Sequence, residues 1–210
     1  MSERRPTKRE RREEGRRQRE ELVRQQRRRD AYRRAWIAIG VVAVVAVVVS
    51  LFLLSGGDDP GSGDPPRGVE NFEVASRSHV QGPVDYPQDP PVGGDHAGEW
   101  LNCASYDFPI PTENAVHSME HGAVWITYNP ELPIDQVRTL EALADQGFVL
   151  VSPYLTLEDP VVASSWGHQL RLESADDPRL EEFIRAFRQG PDTPELGAAC
   201  TGGITPNQGG

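Results

Sequence analysis

The spacing of apolar side chains divides the chain into stretches of different character. Residues 35–54 are an unbroken apolar run of 20 residues, mostly Val, Ala, Ile and Leu, with Ser50 the one hydroxyl. About 20 residues at 1.5 Å rise span a hydrocarbon core of roughly 30 Å, and a globular core helix is rarely apolar on every side for so long. The pattern predicts one transmembrane helix over 35–54. The run is too long for a signal-peptide h-region, and no A-x-A-like site follows Leu54, so the segment reads as an uncleaved anchor. Residues 1–34 have very few apolar side chains and cannot bury a core, which predicts a basic, disordered arm. Residues 55–68, SGGDDPGSGDPPRG, predict a flexible spacer, and 206–210 a frayed tail.

Regular periodicity returns in the second half of the remaining domain, 69–205. Residues 122–128 (GAVWITY) are β-branched and aromatic, hence a strand, broken by Asn129-Pro130. Ile134, Val137, Leu140 and Leu143 recur at helical spacing as far as Gly147. Residues 148–154 (FVLVSPY) read as a second strand. Residues 161–172 contain a third, in which Leu170 and Leu172 alternate with Gln169 and Arg171. Asp177-Pro178 is an N-cap followed by Pro at the first helical position, and Leu180, Phe183, Ile184 and Phe187 form the apolar stripe behind it. Residues 69–113 are rich in Pro and Gly and predict ordered loops with short strands. The expected fold is α+β: a small sheet with helices on one face, ferredoxin-like as the nearest named motif, plus a loop-rich N-terminal half.

Charge sets the topology. The net charge of −10 hides a split: residues 1–35 hold 15 Lys+Arg against 7 Asp+Glu, whereas 55–210 hold 7 against 25. Arg27, Arg28, Arg29, Arg33 and Arg34 crowd one edge of the apolar run, and Asp58 and Asp59 follow the other. The positive-inside rule places the N-terminus in the cytoplasm and the acidic domain outside, with the arm beside anionic lipid. The arm has a single aromatic, Tyr32, and no folded partner, so no nucleic-acid partner is expected.

Cys103 and Cys200 are the only cysteines. Outside the cytoplasm a disulfide between them is the expectation, and it would tie the loop-rich half to the C-terminal tail. Two thiols serving as metal ligands or as a redox pair are the alternative, without C-x-x-C spacing in support.

All five histidines, His79, His96, His117, His121 and His168, lie in the outer domain. Residues 117–121 read His-Ser-Met-Glu-His. Extended, the segment points His117, Met119 and His121 to one face, a soft set suited to copper. Helical, it puts His117 and His121 on one face beside Glu120, as in the short zinc-hydrolase signature H-x-x-E-H with Glu120 as base. Gly122 and a β-rich run follow at once, leaving such a helix barely two turns. The expected site is a transition-metal site, copper first and zinc second, built on His117, His121 and Met119, with His96, His79 or His168 completing it. No catalytic residue is assigned. A metal-free binding or scaffold domain is the competing class. There is no phosphate-cradling glycine loop or dinucleotide fingerprint, and Ser164 and Ser165 near His168 do not form a nucleophile elbow.

Several of these motifs together resemble a bacterial membrane-anchored family, domain of unknown function 3105. They are His79 with Tyr86, the stretch 90–96 (PPVGGDH), the stretch 116–122 (VHSMEHG), Tyr128-Asn129-Pro130 and Ser165-Trp166-Gly167. The chain carries Met119 where that family more often has Leu. The resemblance implies an anchored outer domain and supplies no catalytic residues. It implies no assigned activity; for the metal site read from the histidines, the expectation is a role in metal handling or in delivery to a membrane-protein partner.

Overall fold

The computed structural model describes residues 61–206 together with Gly40, Val44, Val45 and Ser50. The predicted arm, most of the predicted anchor, residues 55–60 of the spacer and 207–210 of the tail lie outside the described residues. Among the described residues no helix is long and apolar enough to cross a membrane. The chain divides into two units at residues 57 and 58, and the second holds everything below.

Five strands form one mixed sheet: β1 (Glu70–Asn71), β2 (Val124–Tyr128), β3 (Val149–Pro153), β4 (Val161–Ser165) and β5 (His168–Leu172). Their order is β1-β5-β4-β2-β3. Three α-helices accompany them in the second unit: α1 (Thr112–Glu120), α2 (Ile134–Leu143) and α3 (Pro178–Phe187). The two central hydrophobic runs, 122–128 and 148–154, become β2 and β3, which pair in parallel with Val124 opposite Val149. The stretch 161–172 is a hairpin rather than one strand, folded back at Trp166-Gly167 so that Ser165 pairs with His168 and Val161 with Leu172.

Two expectations about architecture are corrected. A ferredoxin-like sheet inserts a strand between the two partners of its β-α-β unit, whereas β2 and β3 are direct neighbours. The helices also do not share one face. Strand side chains alternate, so Val124, Ile126, Val149, Val151, Val161, Ala163, Leu170 and Leu172 point one way and pack against Val137, Leu140 and Leu143 of α2 and Leu180, Phe183, Ile184 and Phe187 of α3. Trp125 and Leu150 point the other way, into a cluster with Ala115, Val116 and Met119 of α1 and with Leu101, Tyr106 and Ile110 from the loops. The central strands β2, β3 and β4 are accordingly buried at every position, on both faces.

Local chemistry explains the ends of the helices. The Asp177 side chain accepts a hydrogen bond from Arg179 N at 3.0 Å, and Pro178 occupies the first helical position, as the sequence predicts. Ile134, placed by spacing on the apolar stripe of α2, is instead 65% exposed, since the stripe turns inward only from Val137. Cys103 and Cys200 form a disulfide across a separation of 97 residues. In the chain-entropy picture such a link stabilises by on the order of 4–5 kcal/mol. The described part of the spacer is not detached: Gly61 N donates to Arg185 O of α3 at 3.0 Å.

Candidate metal centre

The stretch His-Ser-Met-Glu-His is helical. It forms the last turn of α1, with His121 as the C-cap. Gly122 ends the helix in the left-handed region at φ 96°. A Cβ there would lie 3.0 Å from Gln189 Cα and 3.1 Å from Thr193, so the chain turns sharply into β2 only with glycine. In a helix, residues two apart point to opposite sides. Met119 therefore leaves the histidines and is fully buried in the apolar cluster with Trp125 and Leu150, a correction of the extended reading. His117, Glu120 and His121 share the other side.

Loops bring two more imidazoles to that side. Gly93 at φ 142° lets the backbone pass close to Val74 and Trp166, where a Cβ would meet side-chain atoms at 3.0–3.2 Å. Asp95 then anchors the neighbouring segment, accepting hydrogen bonds from the Ser76 hydroxyl and from Ser78 N. Those bonds hold the Asp95 carboxyl below the usual carboxylate range. His96 N donates to Ser78 O at 3.0 Å, and Val80 N to His96 O at 2.8 Å. This short bridge sets His79 beside His96, with ring centroids 4.9 Å apart. His79 also stacks on His117 at 4.8 Å.

One ring nitrogen of three histidines is already committed. Nδ1 of His96 donates to Gly94 O at 2.8 Å, Nδ1 of His117 to Ala97 O at 2.7 Å, and Nδ1 of His121 to Ala199 O at 2.8 Å. A carbonyl oxygen only accepts, so each Nδ1 carries the proton, and in a neutral ring Nε2 presents a lone pair. Pinning one nitrogen to a backbone carbonyl is the arrangement that orients metal-binding histidines. His117 stays neutral at neutral pH: burial pushes its pKa down to about 4, helped by its histidine neighbours and opposed by the bond to Ala97.

The free nitrogens and one carboxylate converge. His79, His96, His117 and Glu120 each offer a donor atom, and these atoms all lie within 4.8 Å of one another. His96 Nε2 is 3.0 Å from Glu120 Oε2 yet has no hydrogen-bond partner. The distance is short and the alignment poor, as between two ligands of one ion. His117 Nε2 is 3.1 Å from His121 Nε2. Donors bound to one ion at about 2.0–2.2 Å sit at comparable spacings. Glu120 is 2% exposed, and its cationic contact is Arg77 Nη1 at 3.3 Å from Oε1, on a side chain more than half exposed. Glu120 Oε1 accepts that hydrogen bond from Arg77, which leaves Oε2 facing His96.

The predicted set is thus partly assembled. His79, His96 and His117 meet, and His121 adjoins His117 outside the group of four. His168 lies elsewhere: its Nδ1 is 2.7 Å from Asn71 Oδ1, its Nε2 3.2 Å from Asp192 Oδ2, and its ring stacks on Phe187. Glu120, read from the sequence as the base of a hydrolase, lies among the ligand atoms. Sequence reasoning missed Trp100, whose ring lies 5.0 Å from that of His121 and 5.7 Å from that of His117, and Glu195, whose Oε2 is 3.5 Å from His121 Nε2. No local pattern marks either residue.

Fold and site together define a mixed-sheet α+β domain with a histidine–carboxylate cluster under its loop-covered face. The chain belongs to the family described as Protein of unknown function (DUF3105), whose model matches residues 79–202. That span opens on the first histidine of the cluster and includes both cysteines. Neither the curated proteins nor the solved structures compared with the chain gave a match.

Proposed function

We propose that this protein is a membrane-tethered, extracytoplasmic domain that holds a divalent transition metal through His79, His96, His117 and Glu120. The observation that carries the reading is the convergence of donor atoms around buried His96, His117 and Glu120, with His79 exposed at the edge: His96 Nε2 is without a partner, 3.0 Å from a buried carboxylate, in a ring already fixed through Nδ1. Three imidazoles and a carboxylate form a borderline nitrogen–oxygen set suited to Zn(II), Cu(II) or another first-row divalent ion. With Met119 in the apolar core, the thioether argument for Cu(I) lapses. Hydrolysis with Glu120 as base is the weaker reading, because Glu120 sits within reach of the ion itself. The membrane tether is supported by the 20-residue apolar run and its charge asymmetry, and the outer location also by the disulfide. Metal storage, or transfer to a membrane-protein partner, fits that location.

The test is metal content of the full chain, purified without a histidine tag and dialysed against Zn(II) and Cu(II) in parallel. One ion per chain is expected, lost in His117→Ala. Glu120→Gln preserves shape but removes the charge, and should weaken affinity by more than the roughly 10–100-fold that an outer-shell change costs. Metal retained at full stoichiometry in both variants would sink the assignment.

A further inference from the structure

The wall of the cluster beside His121 is a tail without helix or strand. Between residues 191 and 203 the chain makes only turns and bends. Three contacts tie this tail to the end of α1. Glu195 N donates to Glu120 O at 3.0 Å, Ala199 O accepts the His121 Nδ1 proton at 2.8 Å, and Glu195 Oε2 stands 3.5 Å from His121 Nε2. The tail is fastened in turn to residues 100–103. Cys103 N donates to Cys200 O at 2.8 Å, Ile204 N to Trp100 O at 2.9 Å and Asn102 N to Ile204 O at 3.0 Å, and the Cys103–Cys200 disulfide is the covalent link. Ala199, which orients His121, is the residue next to that link.

We infer that the Cys103–Cys200 disulfide is a positioning element of the metal centre, so that thiol oxidation sets metal affinity. The inference rests on the metal reading above. A dithiol reductant breaks the S–S bond. Each cysteine sulfur gains one hydrogen, and the dithiol is oxidised to its own disulfide. The tail then loses its covalent hold on residues 100–103. The Ala199 carbonyl leaves His121, which faces His117 at 3.1 Å, and Glu195 N leaves the backbone carbonyl of Glu120, the residue whose carboxylate is one of the four donors. Outer-shell partners of this kind typically change metal affinity by about 10–100-fold. The β2–β4 pairing does not pass through the tail, so the sheet outlasts the release. A chain still reduced would carry a weak site, and oxidation would make it a tight one.

The experiment uses the full chain in detergent micelles and Zn(II) as the probe. Affinity is measured by competition with a chelating dye, before and after reduction by a phosphine, which takes the oxygen of a water molecule to become phosphine oxide while the two sulfurs take its hydrogens. Amide hydrogen exchange is followed in parallel. The expected result is an affinity loss of about 10–100-fold on reduction. Faster exchange should be confined to 195–204 and the end of α1, with β2, β3 and β4 still protected. His121→Ala in the oxidised chain should show a comparable loss, and reduction should then add little. Equal affinity in the oxidised and reduced chains overturns the inference alone. Loss of protection throughout the sheet also overturns it, because the disulfide is then a staple for the whole domain. Full redox sensitivity retained in His121→Ala removes the proposed route. An oxidised chain that holds no zinc overturns the metal reading and this inference together.

Discussion

The two faces of the sheet are built from the same five strands and obey different chemistry. On the face covered by α2 and α3, the buried set is aliphatic and aromatic: Val124, Ile126, Val149, Val151, Leu140, Leu180, Phe183 and Ile184. On the face covered by α1 and the loops, apolar groups share the interior with His96, His117, Ser118, Glu120, His121, Ser152, Ser164 and Gln169. Most of these find partners. Trp125 Nε1 donates to Ser152 Oγ at 3.0 Å, Gln169 Nε2 to Pro90 O at 2.8 Å, and Ser118 Oγ to Leu101 O at 2.9 Å. Among the described residues the exceptions are His96 Nε2 in the cluster and Trp100 Nε1 beside it, together with Ser165 Oγ and Arg188 Nε. Buried polar atoms are rarely left unpaired, and a bound ion is one reason for it. One face holds the fold and the other presents a site.

Phe183→Ala would sharpen that contrast most. Phe183 is fully buried and packs on Phe187 within the aliphatic face. Truncation in such a core costs about 3–5 kcal/mol. Denaturant titration of the domain should show that loss, while zinc affinity of the folded fraction stays near the wild-type value. If affinity fell in parallel, the two faces would not be independent.

The histidine face should respond to acid where the other does not. The folded pKa of His117 is depressed to about 4 from an ordinary value near 6.5, chiefly by burial. Between those values the unfolded chain binds a proton that the folded chain refuses, so metal-free stability falls as pH drops from about 6.5 to about 4. Above 6.5 this contribution is fully present. Melting curves at pH 7 and pH 4.5, for wild type and for His117→Gln, isolate it: the variant should lose less on acidification. The cost of Phe183→Ala should be the same at both pH values. Equal acid sensitivity in wild type and His117→Gln would remove His117 as the cause.

The same contrast explains what could be read from the chain. The aliphatic face was legible, because β2, α2, β3 and α3 follow simple periods with Pro, Gly and Asp at their ends. Residues 161–172 concealed a hairpin, since its turn residues, Trp166-Gly167, are not one of the strong turn pairs. The polar face was legible only in its parts. His117, Met119 and His121 satisfy a period of two, His117 and His121 also a period near four, and only Gly122 and the course of β2 decide between them. His79 and His96 come together through backbone bonds between loops 17 residues apart in sequence, which no local pattern encodes. Glu195 and the Ala199 carbonyl reach the site only because the tail is fastened back by the disulfide.

Met119→Leu is the smallest of these perturbations and separates the helical reading from the extended one. Met119 occupies the apolar side of α1 and is fully buried with Trp125 and Leu150. Leucine has nearly the same volume, and such exchanges usually cost less than about 1.5 kcal/mol. The thioether lies in that apolar cluster, on the side of α1 away from His117 and His121. Zn(II) and Cu(II) affinities should therefore be unchanged, with at most a small drop in melting temperature. A large, selective loss of copper affinity would mean that Met119 turns toward the histidines when metal is bound. α1 would then have to unwind at its last turn, and the division between an apolar side that holds the fold and a polar side that holds the ion would fail at this residue.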